Sequence, residues 1–185
     1  MKAFVLSTVA AAAAIIPLSA ASGAVLTVGG PLASLCYRSA LAEDGRSFAI
    51  EGCTRALNEQ SLAGPDRAAT YVNRGIVNMS GGRFADADAD FDAALRINGN
   101  LPDGWLNKGF LRLRQGDGRG ALTYIQKGID AGAGREALAI FARGVAYEQI
   151  GDFRSAYADL RRAQALEPGW SMPREYLATY RLAQR

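Results

Sequence analysis

Small and bulky residues return in phase through most of the chain. Gly75, Gly109 and Gly144 stand 34 and then 35 residues apart; Ala87, Ala121 and Ala156 each follow by 12, and Ala94, Gly128 and Ala163 by a further 7. The bulky positions are equally regular, with Tyr71, Trp105 and Ile140 placed 4 before each glycine and Phe91, Ile125 and Leu160 placed 16 after it. A fixed period in this range marks stacked helical hairpins. Two antiparallel helices reach the short end of the interaxial range only where the side chains between them are small, and the bulky residues fill the space that remains. Gly81 with Gly82, the stretch from Gly116 to Gly120, and Gly151 with Asp152 fall midway through the units, where glycine can end a helix in the left-handed conformation. Each unit therefore reads as helix, turn, helix.

A stack of such units needs its ends closed, because a terminal repeat would otherwise expose an apolar face. Toward the C terminus, Trp170, Met172, Tyr176, Leu177, Tyr180 and Leu182 recur at helical spacing with Arg174, Arg181 and Arg185 between them, which predicts an amphipathic capping helix over 169–185. Toward the N terminus, Ala49, Cys53 and Ala56 reproduce a second helix, whereas Tyr37 stands where the glycine should be. Leu35 to Asn58 is thus a degenerate hairpin with a short or tilted first helix, and Val25 to Ser34 an extended lead-in.

These residues resemble the tetratricopeptide repeat, whose pattern sets Trp, Leu, Gly and Tyr, then Ala, Phe, Ala and Pro at fixed offsets. Three units fit, from about Arg67 to Pro168. The third fits best, with Gly144, Tyr147, Ala156, Ala163 and Pro168 in register; Asn78 and Arg112 depart at the second aromatic position, Gly99 and Ala133 at the proline. The resemblance implies an all-α, right-handed solenoid. Its expected divisions are a leader over 1–24, the lead-in and degenerate hairpin over 25–66, three repeats over 67–168 and the cap over 169–185.

In the family so resembled, the first helices line a concave groove that receives a peptide or a helix from another protein. Here its expected lining is Val72, Ile76, Met79, Leu106, Phe110, Leu113, Phe141 and Val145, with Asn73 and Asn107 as the polar positions. The lysines that the family's carboxylate clamp would place in this lining are replaced by apolar residues, so capture of a C-terminal carboxylate is not implied. The lining suits an amphipathic helix or extended apolar peptide, with Asn73 and Asn107 bonding its backbone. On that reading, Phe110→Glu and Phe141→Glu would spare the helices and abolish capture. Three alternatives stay open: the lead-in fills the groove, copies of the chain associate through it, or its lining simply packs between repeats.

The N terminus changes the expected location. Lys2, the apolar run from Ala3 to Ile16, Pro17 and then small residues form a secretory leader too short to span a bilayer, with cleavage expected after Ala24 or, second, after Ala21. An uncleaved anchor is the other reading. No apolar stretch of spanning length follows, so a periplasmic or secreted chain is expected. Cys36 and Cys53 are the only cysteines. Laid on the repeat register they fall about equally far from a turn near Asp44 and Gly45, and an oxidising compartment would join them; two buried free thiols are the alternative.

Composition narrows the chemistry. With 21 basic against 18 acidic residues there is no dense positive charge to match a phosphate backbone, so a nucleic-acid partner is not expected. The chain has no histidine, which removes the commonest general base and metal ligand. Asp86, Asp88, Asp90 and Asp92 suggest a calcium loop, but counting from Asp86 its sixth and twelfth places hold Phe91 and Ile97. These aspartates read instead as the solvated back of a helix. Gly116, Gly118 and Gly120 lack the preceding strand of a phosphate-binding loop. The sequence therefore predicts no catalytic residues, metal or cofactor, and a protein as partner.

Overall fold

The computed structural model describes residues 5–7, 23–27 and 29–183. Nine α-helices lie among them: α1 (Pro31–Leu41), α2 (Ser47–Glu59), α3 (Gly64–Ser80), α4 (Phe84–Ile97), α5 (Pro102–Arg114), α6 (Gly118–Asp130), α7 (Glu136–Gln149), α8 (Phe153–Leu166) and α9 (Ser171–Ala178). Two three-residue segments, β1 (Val5–Ser7) and β2 (Arg181–Ala183), pair antiparallel. The expected leader lies mostly outside the described residues.

Local sequence starts and stops these helices. Pro31, Pro65 and Pro102 sit in the first turns of α1, α3 and α5, where a missing N–H costs nothing. The Asp117 and Asp152 carboxylates cap α6 and α8 by accepting from the N–H groups of Gly120 and Ser155. The turn inside each full hairpin is a repeated device. Gly82, Gly116 and Gly151 adopt φ of 75°, 76° and 82°. The following N–H groups of Arg83, Asp117 and Asp152 then donate back, each at 2.9 Å, to the carbonyls of Asn78, Arg112 and Tyr147. That left-handed step satisfies the orphan carbonyls of the first helix and turns the chain toward the second.

The hairpins α3/α4, α5/α6 and α7/α8 stack in order, α4 against α5, α6 against α7, and α8 against α9, giving an all-α solenoid. Inside each hairpin the glycine of the first helix faces a large residue of the second. A Cβ at Gly75 would lie 2.4 Å from the Phe91 ring, one at Gly109 2.5 Å from Ile125, and one at Gly144 3.3 Å from Leu160. Phe91, Ile125, Leu160, Ala87, Ala121, Ala156, Ala94 and Ala163 are fully buried around these contacts. Each large side chain so covered contributes about 1.5–3 kcal/mol. Gly128 serves the contact to its own first helix in the same way, since a Cβ there would meet Leu106 at 2.7 Å.

A Cys36–Cys53 disulfide joins α1 to α2, with Cα atoms 4.7 Å apart. It closes a loop of 17 residues, worth about 3 kcal/mol in the chain-entropy model. Both ends depart from the sequence reading. α1 begins at Pro31, so the extended lead-in stops short of Ser34. Proline fixes the first helical φ, and the Gln60 side chain accepts from Ala33 N–H at 2.8 Å, satisfying the new helix end. The capping helix ends at Ala178 rather than continuing to the C terminus. There the Thr179 hydroxyl donates to the Tyr176 carbonyl at 2.7 Å, and side chains that bond nearby backbone compete with helix continuation.

Candidate functional site: the concave groove and its resident segment

The first helices α3 and α5 lie side by side, and the chain's own residues 23–27 run across them. Asn73 on α3 and Asn107 on α5 occupy equivalent places, two residues before Gly75 and Gly109, and both are buried. Asn73 grips one residue of the lead-in from both sides. Val25 N–H donates to Asn73 Oδ1 at 2.8 Å, and Asn73 Nδ2 donates to the Val25 carbonyl at 2.7 Å. A carboxamide is suited to this, because it offers a donor and an acceptor side by side, as a neighbouring strand would. Asn107 is engaged on one side only: its Nδ2 donates to the Gly23 carbonyl at 3.3 Å and to the Asp103 carbonyl of its own helix at 2.8 Å. Its Oδ1 is buried and without a hydrogen-bond partner among the described residues.

Side-chain requirements follow from the same contacts. A Cβ on Gly23 would stand 2.5 Å from the Asn107 amide nitrogen, so a side chain at that position would have to displace the Asn107 amide. Ala24 and Val25 pack against the core, Leu26 is 68% exposed and Thr27 is buried. The Thr27 hydroxyl has no partner among the described residues. Beyond it, Gly29 lies against Leu62, and Gly30, at φ 124°, lies against Gln60.

The expected apolar lining is buried throughout: Val72, Ile76, Met79, Leu106, Phe110, Leu113, Phe141 and Val145 are each 5% exposed or less. Phe141 belongs to the joint with α9, edge-on to Trp170 at 5.0 Å and to Tyr176 at 5.2 Å. Glutamate at Phe110 or Phe141 would therefore bury an unpaired charge, and the expectation that such variants keep their helices is corrected. Of the sequence-picked polar positions, the structure brings Asn73 and Asn107 together on one segment. Gly75, Gly109, Gly144 and their alanine partners sit between helices, away from it.

Sequence reasoning missed a set of ion pairs on the side of the hairpins where first and second helices meet. Arg74 forks onto Asp90 at 2.7 Å and Arg143 onto Asp159 at 2.7 Å, each spanning 16 residues. Asn78 adds a bond to Asp90 at 3.0 Å. The middle repeat replaces arginine by Lys108, which reaches back to Asp92 at 2.6 Å and Asp88 at 2.9 Å of the preceding repeat, with Arg112 also on Asp88. Asp88 and Asp90 are therefore not a solvated helix back, whereas Asp92 stays exposed beside its lysine. A helical wheel of α4 alone cannot show that α3 and α5 both lay cations along it. Burial alone would raise the Asp88 carboxyl, but the adjoining Lys108 and Arg112 cations outweigh it and hold it below the ordinary value. The recurrence of an arginine and an aspartate 16 residues apart in two of the repeats was the signal available.

No group of three His, Cys, Asp or Glu among the described residues could hold a metal ion. No helix among them is long and apolar enough to cross a membrane.

Residues 137–169, which comprise most of α7, all of α8 and the following turn, match the family model of the tetratricopeptide repeat. Solved tetratricopeptide domains share the fold. The Arabidopsis OM64 TPR domain superposes with a TM-score of 0.58 at 20% identity, covering 63% of this chain and 95% of that one. MamA from Desulfovibrio magneticus RS-1 gives 0.62 at 20% identity over 81% and 84%. The first TPR of Spaghetti (RPAP3), bound to the HSP90 peptide SRMEEVD, gives 0.57 at 17% identity over 62% and 90%. No curated protein sequence matches the chain. The protein is thus a tetratricopeptide-repeat solenoid in fold.

Proposed function

We propose that the protein is a non-catalytic scaffold, exported to the periplasm or beyond, that binds another protein through its concave face. The observation that carries this reading is the grip of Asn73 on both polar groups of the Val25 backbone. A buried carboxamide that pairs with main chain in this way reads an extended polypeptide irrespective of most of its side chains. The solved relative that carries an HSP90 peptide supports a peptide as the kind of ligand, while the apolar lining here disfavours an acidic one. The leader-like N terminus and the disulfide support export into an oxidising compartment. The absence of histidine, with no local spacing that favours paired-carboxylate chemistry, supports a binding role over a catalytic one.

A structural role through self-association is the second reading, favoured by the groove's being filled from within the chain. Retention of partners from cell-envelope extract on immobilised protein, alongside light scattering over a concentration range, separates the two. The scaffold reading expects a defined protein held by the natural chain and lost with Asn73→Leu, and constant mass at all concentrations. Mass that grows with concentration, with nothing retained, would favour self-association.

A further inference from the structure

Residues 23–27 show what the groove recognises, and they fit it incompletely. Asn73 is fully paired by Val25, whereas the equivalent Asn107 is left with a buried, unpaired Oδ1 aimed at the same segment. The Thr27 hydroxyl is likewise buried without a partner among the described residues. Unpaired buried polar atoms weaken a contact by more than an absent contact would, since their hydration is lost and not replaced. Removal of the lead-in would expose the carboxamides and the apolar surface under Ala24 and Val25.

We infer that the lead-in is a displaceable resident ligand, and that the groove takes from a partner protein an extended, uncharged segment of the pattern glycine, small apolar, β-branched, any residue, β-branched apolar. This rests on the scaffold reading and gives its ligand a chemistry. Glycine is favoured by the Asn107 amide, which a Cβ at the Gly23 position would have to displace from its bonds. The β-branched residue follows Val25, whose backbone pairs with Asn73. The free position follows Leu26, which faces solvent. Apolar replaces Thr27 at the last position because valine has threonine's shape without the unpaired hydroxyl. Charged residues are excluded from the covered positions by the apolar lining. A foreign segment that also supplies an N–H to Asn107 Oδ1 gains over the resident one, which offsets the local concentration advantage of a tethered competitor.

Cleavage after Ala21, rather than after Ala24, leaves Gly23 on the exported chain, and the test uses that chain, from Ser22 onward. Val25→Pro deletes the N–H that Asn73 accepts and so releases the resident segment. Gly23→Val releases it by a separate route, through collision with Asn107. A fluorescent nonapeptide of the sequence Ser22 to Gly30 is titrated by anisotropy against the natural chain and both variants. Both variants are expected to bind it at least about tenfold more tightly than the natural chain does, and to lose it when Asn73→Leu is added. A peptide with valine at the Thr27 place should bind about tenfold more tightly again. Equal binding by the natural chain and both release variants, or binding indifferent to Asn73→Leu, overturns the inference. If the natural chain still retains an envelope partner in that event, the scaffold reading stands and its contact lies elsewhere.

Discussion

The three repeat glycines do the same job at different closeness, and this gives a graded prediction. Glycine to alanine inside a helix gains about 1 kcal/mol of intrinsic propensity. Against that gain stands the space each Cβ would enter. At Gly75 the new carbon would lie 2.4 Å and 2.8 Å from two atoms of the buried Phe91 ring. At Gly109 it would lie 2.5 Å from Ile125 Cγ1 and 3.2 Å from the Ile125 backbone nitrogen. Neither neighbour is the free end of a flexible chain, so helices must part, and overpacking of this kind costs about 1–3 kcal/mol. At Gly144 the three nearest atoms all stand at 3.3 Å, so a shift of a few tenths of an ångström suffices. Gly75→Ala and Gly109→Ala should therefore lose up to about 2 kcal/mol net, and Gly144→Ala should stay within about 0.5 kcal/mol of the natural chain. Urea unfolding followed by far-ultraviolet circular dichroism measures this, with slopes compared as well as midpoints because stacked repeats need not unfold in one step. A Gly144→Ala loss equal to that of Gly75→Ala would refute the steric account of the repeat.

Further outcomes follow from the ends of the stack and from its charges. Replacing Cys36 and Cys53 together by serine should cost about 3 kcal/mol, and the variant's urea midpoint, unlike the natural chain's, should no longer respond to reductant. Phe141→Glu should lower helical content and release Trp170, read as a red shift of tryptophan emission. Burial raises the Glu148 carboxyl above its ordinary 4.5, so its contribution to stability is complete below that value and is lost as pH climbs through the raised one. Glu148→Gln should accordingly raise the urea midpoint near neutral pH and leave it unchanged near pH ~4.

The repeat was legible because close approach leaves a sequence mark: only glycine fits at Gly75 and Gly109, so the register can be read by spacing alone. The cysteine pair was legible on the same grounds, once both residues were placed on that register. What the groove holds was not legible, because Asn73 recognises main chain, and main chain is the same at every residue. Asp88 and Asp90 of α4 were misread for a related reason. Their partners, Arg74, Lys108 and Arg112, lie on two other helices, and a face is solvated or covered only relative to neighbours that one helix's periodicity does not describe. Gln60, which closes the start of α1 from 27 residues away, left no local sign either.

The Cys36–Cys53 bond also gives this linear array a direction. In a row of units that touch only their neighbours, melting starts at whichever terminus is looser. Here one terminus is riveted covalently and the other is held by the eight residues of α9. Amide exchange should accordingly be fastest around Tyr176 and Leu177 and slow progressively back toward α3, so that under stress the repeats would be lost in reverse of the order in which the chain is made.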